Sequence, residues 1–518
     1  MEFLEGIKPR EYQQKIFETC IQKNCLVVLP TGLGKTLIAL MLVIERMRTF
    51  PGEKVVFLAP TKPLAEQHKN SFKKYLPELF AEMQLFTGAI NADKRKKLWQ
   101  NADIIFSTPQ CVANDVKKGL YNLNDVCLLI EDEAHRCVKN YDYNFISQKY
   151  QSSSEHPRIL GLTASPGSEK SKIKQICQNL FIESVELRTR DSPDVKIYLQ
   201  ELKFEKKLLD FPAEFQEIKQ VLLKLFEGYI EELKKRNVLF GPSTKTNLII
   251  TQKKIMGNLA SAGSNRNYNY MLGASACAQA IKLQHALELL ETQTLKGFNK
   301  YLQKLLKEAA NKKSKGVVRL VAKPEFNFLY MSSNELISKN IEHPKLNELF
   351  EIIKKEYEKN KNLKIIIFSQ FRETAANICK KINELKKIKA KVFVGQAKKT
   401  ESGLSQKQQK KIIEEFSQGK INVLCSTQIA EEGLDIPEVN AVIFYEPIPS
   451  VIRTIQRAGR TARLSKGKLI MLITKNTRDE AFFYVSRSRE KKMHNAISEI
   501  KKDLENGKEF KSHQRQLF

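Results

Sequence analysis

Apolar positions along the chain follow two rhythms, the second interrupting the first. Short aliphatic runs at Cys25–Val28, Lys54–Ala59, Val126–Ile130 and Arg158–Leu162 end in turns rich in glycine, hydroxyl or acidic residues. Two more strands are expected to end at Thr87-Gly88 and at Ser107-Thr108-Pro109-Gln110. Continuous apolar runs alternating with helical stretches are what a parallel sheet covered on both faces requires. From about Glu201 to Lys345 that pattern stops. Ala213–Leu239, Met271–Glu291 and Thr294–Ala310 instead repeat apolar residues at helical spacing, with a Gly/Ser/Asn loop at Ser261–Asn267. The strand rhythm resumes at Lys364–Phe368, Asn422–Cys425 and Ala441–Tyr445. The fold class is therefore α/β: two doubly wound parallel-sheet domains with an inserted all-helical domain. The expected boundaries are 1–200, 201–345 and 346–490, followed by a charged tail, 491–518, that begins as helix.

At 518 residues, 42% hydrophobic and 28% charged, the chain reads as globular with room for two or three cores. No apolar run reaches the length of a membrane span, so no membrane partner is expected. Met1–Glu5 carries neither a basic region nor a secretory apolar core, which predicts an intracellular protein. Nine cysteines without a C-x-x-C pair read as core residues, not as zinc ligands or disulfides. The net charge of +29 suits a polyanionic partner, nucleic acid first, although a lysine-rich solvated surface would give the same balance.

The candidate chemistry begins at Leu29-Pro30-Thr31-Gly32-Leu33-Gly34-Lys35-Thr36, directly after the first strand. A glycine turn opening a helix aims backbone N–H groups at one spot, a cradle for phosphates. Thr31, Gly32 and Gly34 would shape it, Lys35 would reach the β- and γ-phosphates, and Thr36 would ligate Mg²⁺. Leu29 stands where the strict phosphate-loop pattern has glycine, and a plain glycine turn would look similar. Upstream, the Gln13 amide in Pro9-Arg10-Glu11-Tyr12-Gln13 can pair with both the donor and the acceptor on one adenine edge, or simply face solvent. In Glu131-Asp132-Glu133-Ala134-His135, Asp132 would hold Mg²⁺ through its water shell and Glu133 would deprotonate the attacking water. The hydroxyls of Thr163-Ala164-Ser165 are expected to bond the Asp132–His135 loop. In the second lobe, Arg457, Arg460 and Arg463 recur at i, i+3 and i+6, so guanidiniums can converge on a phosphate across the cleft, worth about 10³ to 10⁵ in rate. Lys296–Lys323 holds nine Lys or Arg against Glu308 alone, with Lys300, Lys304 and Lys307 at helical spacing. That stripe is either a phosphate-contacting face or a solvated one.

In this order the motifs resemble the superfamily-two helicases, and more specifically the archaeal Hef and Fanconi anaemia group M helicases. Besides Asp132–His135, the strings that carry the resemblance are Gly161–Gly167, Asp191–Val195, Phe393–Ala397 with Gly403–Gln406, Glu431–Asp435 and Phe444–Pro447. It implies two RecA-like lobes that close on ATP and Mg²⁺, and a thumb-like insertion that grips branched DNA such as forks and Holliday junctions. It further implies that Lys35, Thr36, Asp132, Glu133, Gln456, Arg460 and Arg463 run hydrolysis, with Gly433 and Asp435 also at the nucleotide. Arg10 and Gln13 would read adenine. Thr61, Lys62, Gly88, Thr108, Arg372 and Thr427 would contact the DNA backbone, and His135, Thr163 and Ser165 would couple the two sites. Ala462 departs from the usual glycine. No ERKxxxD string is present, so an XPF-type nuclease is expected only as a separate partner. Gln514-Arg515-Gln516-Leu517-Phe518 resembles a shortened sliding-clamp peptide without its trailing aromatic. The expected setting is cytoplasmic, at the nucleoid. Two rivals stay open: an RNA-directed enzyme of the RIG-like or Dicer type, and an ATP-gated junction clamp that recruits a nuclease.

Overall fold

The structure is a computed structural model and describes residues 7–77, 79–199, 201–261, 268–395, 403–427, 436–450, 457, 467–507 and 510. Among these, the strands form two all-parallel sheets. The first contains β1 (Cys25–Val28), β2 (Lys54–Leu58), β3 (Met83–Phe86), β4 (Ile104–Ser107), β5 (Val126–Asp132), β6 (Ile159–Thr163) and β7 (Ser184–Leu187) in the order β3-β4-β2-β5-β6-β1-β7. The second contains β8 (Leu202–Leu209), β9 (Ile365–Phe368), β10 (Ala390–Phe393), β11 (Val423–Ser426), β12 (Ala441–Phe444) and β13 (Gly467–Thr474) in the order β10-β11-β9-β12-β13-β8. Central strands such as β1, β5, β9 and β12 are buried along their whole length, as helices on both faces demand. All nine cysteines are buried within this scaffold.

Two boundaries differ from the expected ones. β8 lies inside the 201–345 segment, yet it pairs in parallel with β13 over its full length and so belongs to the second lobe. It is an edge strand, and Lys203, Lys206 and Lys207 on it break the apolar run that marks an interior strand. The helical bundle proper begins at Ala213 and runs to Ser338, around Phe215, Leu222, Phe298 and Leu302. Nor do the described residues after 490 form a separate tail. One helix, Arg478–Glu505, starts on the second lobe with Phe483 in that lobe's core. Some 42 Å long at 1.5 Å per residue, it delivers Met493, Ala496, Ile497 and Ile500 to the core of the first lobe. It therefore straps the two lobes together. None of the described helices is long and apolar enough to cross a membrane.

Candidate active site

Three strand ends meet at one edge of the first sheet. Val28 closes β1 opposite Thr163 of β6, and Asp132 closes β5 opposite Leu162 of the same strand. The glycine turn, the acidic turn and the hydroxyl turn are neighbours for that reason. Leu29 extends β1 by one residue, its N–H donating to the Thr163 carbonyl at 3.0 Å. Buried Leu29 thus fixes where the turn begins, and its carbonyl accepts from Lys35 Nζ at 2.8 Å.

Gly34, at φ +80°, is the N-cap of the helix Lys35–Thr49. A Cβ there would sit 2.2 Å from Gln13 Nε2. Gln13 is buried, accepting at Oε1 from the Arg10 N–H (2.9 Å) and donating from Nε2 to the Leu33 carbonyl (3.2 Å). The Tyr12 hydroxyl donates to the same carbonyl at 2.8 Å. The first helix, Glu11–Gln22, is thereby clamped to the cradle, and Gln13 keeps one N–H and one lone pair for a ligand. Tyr12 was not foreseen, because a tyrosine beside Gln13 on an amphipathic helix reads as core. Gly34→Ala is expected to lower stability by roughly 1–2 kcal/mol, the cost of left-handed backbone to an L-residue, and to weaken ATP binding because its Cβ would displace Gln13 from the cradle. Titration with a fluorescent nucleotide analogue checks the binding.

The acidic turn carries less charge than its sequence suggests. Burial pushes the Glu131 carboxyl up to about 8, against the lowering effect of the Ser147 hydroxyl, so Glu131 is neutral at pH 7. Asp132 is different. Burial opposes its charge, but the hydrogen bond and charge of His68 and the nearby Lys35 ammonium outweigh that and hold the carboxyl below its ordinary value. The Tyr143 hydroxyl fixes the Asp132 carbonyl at 2.6 Å. Glu133 follows with φ +53°, a left-handed backbone rare for a side-chain-bearing residue and typical of functional turns.

Whether these residues fit a magnesium nucleotide is tested by what they leave unsatisfied. The Thr31 hydroxyl and Glu133 Oε2 are buried without a hydrogen-bond partner, although His135 Nδ1 lies 3.2 Å from the latter. Buried polar atoms in that condition are costly unless a ligand completes them. With Lys35 folded back onto Leu29 and Asp132 held ionised, the residues fit.

His135 Nδ1 also lies 3.2 Å from Thr163 Oγ1, linking the acidic and hydroxyl turns. Ser165, expected on the same loop, does not bond it. Its hydroxyl instead donates to Met493 Sδ of the strap helix at 2.9 Å, because that helix covers the turn. Thr61 and Lys62 are exposed at the start of the helix Lys62–Tyr75, Gly88 is exposed, and Thr108 is half-buried at the N-cap of Pro109–Lys117. Arg372 donates to the Gly395 carbonyl at 3.0 Å. Thr427, expected to face DNA, is only 8% exposed, because it continues β11 into the lobe and its N–H bonds the Phe393 carbonyl. Of the lysine stripe, Lys300 pairs with Glu373 of the second lobe at 2.6 Å and Lys304 lies 4.0 Å from Glu308. Lys307 is exposed.

Gly433, Asp435, Gln456, Arg460, Ala462, Arg463 and the segment Gln514–Phe518 lie outside the described residues. Arg457 is described. It is fully buried, its guanidinium 4.8 Å from the Phe368 ring and 5.7 Å from the Phe444 ring. Just before it, Pro449 and Ser450 face His135 and Gly167 of the first lobe across a cavity of about 210 Å³. The second lobe thus approaches the acidic turn immediately upstream of the arginine string.

Comparison with known proteins adds independent findings. The family model described as DEAD/DEAH box helicase matches residues 10–173, and that of the helicase conserved C-terminal domain matches 344–465. A model described as putative ATP-dependent RNA helicase, helical bundle, matches 214–332. The chain is 40% identical over 489 residues to a putative ATP-dependent RNA helicase of Methanocaldococcus jannaschii, covering 94% of this chain and 60% of that protein. It is 31% identical over 522 residues to the Fanconi anemia group M protein homolog of Mus musculus, covering 94% of this chain and 26% of that one. These relatives are longer than the chain compared with them. The crystal structure of the Pyrococcus furiosus Hef helicase domain superposes with a TM-score of 0.71 at 40% identity, covering 93% of this chain and 100% of that one.

Proposed function

Because the chain belongs to the Hef, Fanconi anaemia group M and Mph1 family of superfamily-two helicases, we propose that it is an ATP-driven motor that moves on branched DNA, forks and Holliday junctions included. The observation that carries this reading is the placement of Lys35, ionised Asp132 and left-handed Glu133 after β1 and β5, at one edge of the same sheet with β6 between them. The cradle N–H groups and Lys35 would bind the phosphates, and Glu133, whose buried Oε2 has His135 Nδ1 at 3.2 Å but no hydrogen-bond partner, would accept the proton of the attacking water. Thr36 and Asp132 are the residues that would hold magnesium, whose role is to neutralise charge developing on the phosphates. Arg460 and Arg463 would complete the pocket from the second lobe, and Gly433, Asp435 and Gln456 would line it. The strap helix packs into the cores of both lobes and the insertion meets the second lobe at Lys300–Glu373, so a movement of the lobes on nucleotide would be felt by DNA held against the exposed Thr61, Lys62 and Gly88. A separate XPF-type nuclease, acting on the junction so remodelled at the nucleoid, is the partner this reading leaves room for.

ATP turnover on forked DNA, four-way junctions, plain duplex and duplex RNA tests the proposal. Forks and junctions are expected to stimulate most. Stimulation greatest with duplex RNA would favour the RNA-directed reading, which the names of the archaeal relative and of the helical-bundle family support.

A further inference from the structure

His68 belongs to none of the motifs, yet it touches the centre of the site. Its Nε2 lies 2.8 Å from Asp132 Oδ2, and both residues are buried. A carboxylate only accepts, so Nε2 is the donor. The ring is held by Phe57, centroid to centroid 4.4 Å, one residue before the β2 end at Leu58. Asp132 is therefore fixed at both ends of the residue, its carbonyl by Tyr143 and its carboxylate oxygen Oδ2 by His68.

The element that carries His68 matters as much as the contact. The helix Lys62–Tyr75 begins at the exposed Thr61 and Lys62, and Glu66 lies 3.4 Å from Lys410 of the second lobe. Within less than two turns, one rigid helix meets the proposed DNA path, the opposite lobe and Asp132. Ala65 and Phe72, buried on the same helix, make its first two turns one packed unit, so a displacement of the first turn would be carried to His68.

We infer that His68 is a positioning residue: it orients the Asp132 carboxylate for the nucleotide-bound metal and makes the hold on that metal depend on where DNA places the helix Lys62–Tyr75. The inference rests on the ATPase reading. Partners of this kind behind a metal-holding carboxylate change metal affinity by about 10- to 100-fold.

The test measures the Mn²⁺ dissociation constant by electron paramagnetic resonance, with a nonhydrolysable ATP analogue, with and without forked DNA. His68→Phe keeps a ring against Phe57 but has no donor, whereas His68→Gln loses the ring and keeps an N–H. The phenylalanine variant is expected to bind Mn²⁺ at least tenfold more weakly, to lose the effect of DNA on that constant, and to recover turnover at high Mg²⁺. The glutamine variant is expected to stay near wild type. The reverse order, or equal constants in folded variants, would mean that His68 only packs, and the inference would fall. A wild-type protein that binds no Mn²⁺ with the analogue would instead overturn the ATPase reading itself. Thermal melts of both variants separate a lost fold from a lost contact.

Discussion

Glu133→Gln is expected to lower DNA-stimulated kcat for ATP hydrolysis by about 10² to 10⁴, the range for removal of a positioned general base, while nucleotide affinity stays near wild type. The amide has the carboxylate's shape and can occupy the same buried pocket, so the φ +53° turn between β5 and the following 3-10 turn Ala134–Arg136 need not change. What disappears is the ability of Oε2 to take a proton. His135 and Thr163 remain to hold the turn, and Lys35 and the cradle still bind phosphate. The measurement is steady-state ATPase on a fork, paired with nucleotide titration and branch migration. Full branch migration by this variant would remove hydrolysis as the source of motion and leave the ATP-gated clamp.

The parts of this site that could be read from sequence are those where one strand end forces one chemistry. Cys25–Val28 is found as expected, and the glycine turn follows because a buried parallel strand must hand over to a helix whose N-terminus needs an unhindered backbone. Asp132 and Glu133 were legible for the same reason. What was not legible depends on the third dimension. β8 reads as charged because an edge strand buries only one flank. The strap helix reads as a tail because its apolar residues are divided between two cores, Phe483 in one and Met493 to Ile500 in the other. His68 carries no local signal at all, since a histidine six residues into an amphipathic helix has no spacing that announces a partner on another strand. Lys300 is a different case: helical spacing puts it on an exposed face, but nothing in the sequence could supply Glu373.

The same distinction governs a residue pair that no motif contains. Asp479→Asn is expected to destabilise the second lobe by about 3–5 kcal/mol, the usual consequence of removing one partner from a fully buried ion pair. Lys345 and Asp479 are both completely buried and in direct contact. Lys345 Nζ also donates to the Thr292 carbonyl at 3.0 Å, and Asp479 accepts the Thr474 N–H at 3.0 Å. Burial raises the Asp479 carboxyl above its ordinary value even with Lys345 beside it, a sign of how strongly the site disfavours charge. Asparagine can keep the Thr474 bond with its amide oxygen in the place of Oδ2, beside Lys345, but it leaves the ammonium in the core without a counter-charge, facing only neutral groups such as that oxygen, the Thr292 carbonyl and the Tyr445 ring. The pair joins three elements: Lys345 opens the helix Pro344–Lys359 just after the insertion, Thr292 ends an insertion helix, and Asp479 stands in the first turn of the strap helix. Its loss should therefore loosen the strap from the insertion as well as lower stability. Urea unfolding followed on the second lobe measures the first effect, and fork-stimulated ATPase at a temperature where the variant is folded measures the second. The double variant Lys345→Met with Asp479→Leu decides the cause. If the cost lies in the unpaired ammonium, the two apolar side chains recover most of the stability, since such replacements are often neutral or better. If the double variant is as unstable as Asp479→Asn, the pair acts through the Thr474 and Thr292 bonds, and the strap is pinned by backbone capping, not by charge.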